Sequence, residues 1–108
     1  GARALLPEII KYLVKSHTHP RNIYNSLKAE NRDTKFYLAL SFLAHLRDNA
    51  YLSRQDIARL VRGTYLRRES QAEVLQALLS LGIISSWETK RGARLKKNLF
   101  PELLKVGR

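Results

Sequence analysis

Leu52-Ser53-Arg54-Gln55-Asp56-Ile57-Ala58-Arg59-Leu60-Val61-Arg62-Gly63 is the stretch on which the reading of this chain turns. Ser53 is a good N-cap, because its hydroxyl can take an N–H of the following first turn. Ile57, Leu60 and Val61 then recur at helical spacing, and Ala58 leaves room for a neighbour to approach. The spacing predicts a helix over 54–62. Gly63 suits the residue after a helix end, where a left-handed conformation is wanted. Thr64-Tyr65-Leu66 reads as a turn. A second helix follows over 67–81, with Val74, Leu75, Leu78 and Leu79 inward and Gly82 ending it.

Beyond Gly82 the period changes. Ile83 to Thr89 carries Ile, Trp and Thr, which suit a strand. Lys90-Arg91-Gly92 reads as a hairpin tip. Ala93 to Phe100 reads as a returning strand, with Ala93, Leu95 and Leu99 on one face and Arg94, Lys96 and Asn98 on the other. Lys97 falls on the apolar face and breaks the alternation. Pro101 opens a short helix to Lys105.

Toward the N-terminus, Phe36, Leu40, Leu43 and Leu46 form the stripe of a helix over 34–48. Tyr37, Leu38, Ala39, Phe42 and Ala44 widen that stripe almost all round, which places the helix in the middle of a fold. Asn31-Arg32-Asp33-Thr34 is a polar connection with capping residues at its end. Before it, Pro20 opens a helix over 20–30 with Ile23, Tyr24 and Leu27 inward. Pro7 opens another over 6–16, with Leu6, Ile9, Ile10, Leu13 and Val14 at helical spacing. The fold class expected is mainly α with a small β-hairpin.

The order helix, helix, turn, helix, hairpin resembles the winged helix-turn-helix superfamily over residues 34–100. The likeness is carried by Leu52 to Val61, by Ser70 to Leu79, and by Leu81-Gly82-Ile83-Ile84 leading into a basic hairpin. It identifies a fold and no individual family. Two departures accompany it. The link between the two helices is longer than a tight turn, and Gln71 stands where such helices often bury an aliphatic. Both suggest that the second helix starts late or that its first turn is displaced. The organisation expected is an N-terminal helical extension (1–33), the winged helix (34–100) and a short C-terminal helix (101–108), in one compact domain.

The 108 residues suffice for one core, and 44 % of them are apolar. The absence of cysteine excludes a disulfide framework and thiolate chemistry. No run approaches the roughly eighteen apolar residues of a membrane span, and no signal peptide is read at Gly1 to Ala4. Gly1, in a chain without methionine, reads as a cut end or a cloning remnant, hence a fragment or processed piece. Charge is the strongest global signal: 20 Lys and Arg against 9 Asp and Glu give a net charge of +11. Such an excess on one domain is the footprint of polyanion binding. It is densest in 87–108, with seven basic and two acidic residues.

The resemblance implies duplex DNA as partner, with 67–81 as recognition helix and 87–97 as wing. The first turn of such a helix reaches base edges in the major groove, here Arg67, Arg68, Ser70 and Gln71. Arg pairs bidentately with guanine and Gln with adenine. Lys90, Arg91, Arg94 and Lys96 on the wing would touch phosphate or a minor groove, with Gly92 allowing close approach. Arg54 stands at a helix start that would face a phosphate, while Arg59 and Arg62 read as general surface charge. Glu69 and Glu73 would repel phosphate and so limit how the helix rolls in the groove. The process implied is transcription regulation, or replication, partition or recombination, inside the cell, in cytoplasm, nucleoid or nucleus.

Other signals point less far. His17 and His19 invite a metal, but only His45 remains as a further histidine and a site needs three or four ligands; no metal or cofactor is expected. Ser41, His45 and Asp48 lie on one helical edge and cannot adopt triad geometry, so no enzyme is expected. The five tyrosines, Tyr12, Tyr24, Tyr37, Tyr51 and Tyr65, could stack on single-stranded bases, but each sits beside a core position, so most of them read as packing residues, and Trp87 as packing the wing on the helices. The alternative to DNA binding is a protein-interaction winged helix within a larger nucleic-acid-processing assembly. RNA or single-stranded DNA binding is a third reading. The N-terminal helices are candidates for holding a homodimer mate or a partner protein.

Overall fold

The computed structural model describes residue 11, residues 19–89 and residues 92–97, with backbone alone from residue 86 onward. Most of the 6–16 helix, the 90–91 tip and everything after 97 lie outside the described residues, although Lys11 itself is helical. The described chain is mainly helical. Four helices, α1 (Pro20–Asn25), α2 (Arg32–Asp48), α3 (Arg54–Val61) and α4 (Arg68–Ser80), precede two strands, β1 (Ile84–Thr89) and β2 (Gly92–Lys97).

The core is built on α2. Leu38, Ala39, Leu40, Phe42, Leu43, Ala44 and Leu46 are buried, together with Ile23 and Leu27 from the α1 region, Leu52, Leu66, Val74, Ala77, Leu78, Ile83 and Ile84. Residues 20–27 therefore share one core with residues 38–84. Helix α2 begins two residues before the expected start, with Asn31 left-handed at φ 53° as its N-cap. Its polar first turn, Arg32-Asp33-Thr34, is helix rather than connection. Helix α1 stops earlier than expected, at Asn25. The Ser26 hydroxyl donates to the Asn22 carbonyl at 2.7 Å, and the Lys28 N–H turns away to the Glu73 carboxylate at 2.6 Å. That N–H is satisfied without a helical partner, so the helix need not continue.

Helix α3 packs Ile57, Leu60 and Val61 half-buried against the core. Ala58, expected to admit a neighbour, is exposed instead. Gly63 takes the left-handed conformation expected of it, at φ 86°, and Gly82 does the same at φ 74° where α4 ends. The strands are antiparallel, from Ile84 opposite Lys97 to Thr89 opposite Gly92. Gly92 therefore belongs to β2 and not to the tip, leaving a two-residue connection at 90–91. Strand β1 contacts α4, and β2 contacts α2.

Candidate nucleic-acid interface

Helix α3 is fixed at its first turn. The Ser53 hydroxyl accepts the Asp56 N–H at 3.2 Å, and the Asp56 carboxylate accepts the Ser53 N–H at 2.9 Å, a reciprocal capping box. Chiefly because of that Ser53 N–H, the Asp56 carboxyl is held below the usual carboxylate range; burial opposes this, and the Ser53 hydroxyl, Arg59 and His45 reinforce it. His45 Nε2 lies 3.4 Å from Asp56 and 3.2 Å from the Tyr51 carbonyl. The end of α2 is thereby tied to the start of α3. His45, Ser53 and Asp56 are close, but the Ser53 hydroxyl gives its proton to Asp56 at 2.8 Å rather than to His45. The cluster works as a cap. Arg54 follows it, exposed, as the first residue of α3.

Residues 62–67 connect α3 to α4. The Thr64 hydroxyl donates to the Val61 carbonyl at 2.7 Å and accepts the Leu66 N–H at 3.3 Å. Leu66 is buried, and its carbonyl accepts Gln71 Nε2 at 2.9 Å. Between these anchored residues Tyr65 adopts φ 59° and is 96 % exposed. Packing is the role expected of most of the tyrosines; Tyr65 is an exception, and Tyr51 is also exposed. The left-handed backbone turns the Tyr65 side chain off the protein while its neighbours are pinned to it.

Helix α4 starts at Arg68, one residue later than expected, with Arg67 as an N-cap that makes no side-chain capping bond. Arg67 and Arg68 are exposed, as is Arg62 at the end of α3. Arg67 lies 3.9 Å from both Glu30 and Glu69 in pairs open to water. Among the described residues, Arg54, Arg62 and Arg68 enter no ion pair. Ser70, expected at the exposed end, is buried; it sits one turn ahead of Val74 on the stripe that continues through Ala77 and Leu78. Gln71 is half-buried with its amide directed to the turn. Of the four first-turn residues expected to face a ligand, Arg67 and Arg68 are exposed, while Ser70 and Gln71 are not.

The middle of α4 is held by a feature that sequence reading missed. Lys35, on α2, is 1 % exposed. Its ammonium donates to Glu73 at 2.7 Å and to the Lys28 carbonyl at 3.2 Å. Burial pulls the Glu73 carboxyl upward. Hydrogen bonds from Lys35 and the Lys28 N–H, with the charge of both lysines, outweigh it and leave Glu73 below its ordinary value. Glu73 is thus turned inward and would not face a phosphate; Glu69 is exposed.

Of the hairpin residues, Lys90 and Arg91 lie outside the described residues. Arg94 and Lys96 lie on β2 opposite Trp87 and Ser85; their side chains, and that of Trp87, lie outside the described set. Among the described residues no group of His, Asp or Glu is arranged to hold a metal ion, and no helix is long and apolar enough to cross a membrane. Neither a family model, nor a curated protein, nor a solved structure matches this chain.

Proposed function

We propose that this chain binds duplex DNA as a winged helix-turn-helix module, with α3 as positioning helix, α4 as recognition helix and the β1–β2 hairpin as wing. The observation that carries this reading is the exposed pair Arg67 and Arg68 at the start of α4, with Arg62 exposed at the end of α3. A helix start presents N–H groups and the positive end of the helix dipole, so the cations and the backbone there favour one anionic ligand. Arg67 and Arg68 are the residues for base edges or phosphates. Arg54 is assigned to a phosphate, and Lys90, Arg91, Arg94 and Lys96 to the DNA backbone along the wing. Gln71 acts by holding the turn, and Ser70 by packing. The same reading gives the chain a role inside the cell, in regulating transcription or within a replication, partition or recombination protein.

One observation favours a protein-interaction module as second reading. An open groove of about 460 Å³ lies between Ser26 and Lys28 on one side and α4 on the other, lined there by Ala72, Glu73, Gln76 and Leu81. Titration of the chain against duplex DNA, single-stranded DNA and RNA at two salt concentrations separates the two. DNA binding predicts tightest binding to duplex and a log–log salt slope of about −0.9 for each phosphate neutralised. Absent binding, or a response flat in salt, would contradict it and leave the second reading.

A further inference from the structure

Among the described residues, left-handed backbone is met elsewhere by glycine, at Gly63 and Gly82, and by asparagine, which tolerates it, at Asn31. At residue 65 it is met by tyrosine, a bulky residue for which φ 59° is an outlier. The ring gains nothing from the protein in return, being 96 % exposed. A lone exposed aromatic is ordinary on a protein surface. An exposed aromatic on strained backbone, with Thr64 hydrogen-bonded on one side and Leu66 buried on the other, is a presented group. Three exposed arginines, Arg62, Arg67 and Arg68, lie within three residues of it.

Resting on the DNA-binding reading above, we propose that Tyr65 stacks on an unpaired base, so that this site prefers duplex DNA interrupted by an unpaired nucleotide over continuous duplex. A π face is what an exposed ring can use best, and stacking is tolerant of base identity. In a continuous duplex each base face is covered by its neighbours. An unpaired nucleotide offers its face, while the duplex on either side supplies phosphates for the arginines. Charge and ring are then used together, which a continuous duplex, with its base faces covered, does not offer.

The test uses two DNAs that differ by one nucleotide: a fully paired duplex, and the same duplex carrying a single unpaired 2-aminopurine. Binding is followed by anisotropy and stacking by quenching of the 2-aminopurine emission. Wild type should prefer the interrupted duplex about tenfold, in line with the worth of one base–aromatic stack, and should quench the probe. Tyr65→Asn removes the ring while suiting the left-handed backbone. It should lose both preference and quenching and keep its affinity for paired duplex; Tyr65→Phe should retain both. Equal preference and quenching in Tyr65→Asn would overturn the assignment of Tyr65. Paired-duplex binding without preference in wild type would overturn the stacking proposal and leave duplex binding intact. Binding of neither DNA would overturn both.

Discussion

Helix α4 meets basic residues in two places, and they are used in opposite ways. At its middle, Glu73 takes the charge of Lys35 inside the protein, where the ammonium is almost wholly shielded from water. At its start, Arg67 and Arg68 stand in solvent, a few residues after the exposed Arg62 and the projecting Tyr65. A count of +11 weights these residues equally; the fold does not. Arg32 is also drawn inward, donating to the Leu27 carbonyl at 3.0 Å with its guanidinium 5.3 Å from the Tyr24 ring. Lys35 ties α4 to α2, Arg32 ties α2 to the α1 region, and the outer cations remain exposed.

The contrast predicts that the inner pair governs stability and does so asymmetrically. Glu73 keeps some access to water, with a side chain 21 % exposed against 2 % for Lys35. Glu73→Ala strands a buried ammonium and should cost about 3–5 kcal/mol. Lys35→Met leaves a carboxylate that water can still reach, and should cost roughly 1–2 kcal/mol. The double variant should be more stable than Glu73→Ala alone. Denaturant midpoints for the three proteins check this, and equal costs for the two single changes would mean that Lys35 is not shielded as described.

The next effect is smaller and depends on pH. Asp56→Asn weakens the capping box of α3 and should cost about 1 kcal/mol at neutral pH. The Asp56 carboxyl titrates lower in the folded chain than in the unfolded one, where it ionises near pH 3.9. Its contribution is therefore complete above that value and is lost as pH falls through the folded value. The gap between wild type and variant should narrow steadily on acidification below about pH 4. A gap constant across denaturant melts from neutral to acid pH would show that the cap does not depend on the ionised carboxylate.

Much of the helical framework was legible because periodicity and caps are local signals. Ser53 and Gly63 mark the ends of α3, and the stripe on α2 follows from the spacing of Leu40, Leu43 and Leu46. Ser70 was misplaced, although its position was readable: it lies four residues ahead of Val74, so it shares the inner face. Lys35 lies on the same turn-by-turn row as Leu38, Ala39 and Phe42, which marks it as inward-facing. Its partner lies 38 residues away, and no local pattern names Glu73. The exposure of Tyr65 was not legible either, because it follows from a positive φ set by hydrogen bonds on both sides of the turn.

The smallest effect on stability belongs to the exposed end of α4, and there the central claim is most directly open to test. Replacing Arg67 and Arg68 together by alanine should leave the denaturant midpoint within about 0.5 kcal/mol of wild type in free-energy terms. The decisive measurement is the salt dependence of duplex binding for that double variant beside wild type. If both side chains neutralise phosphates, binding weakens and the log–log slope becomes shallower by about one for each residue removed. If the variant folds normally and binds duplex with the same affinity and the same slope as wild type, the start of α4 is not where this protein meets DNA.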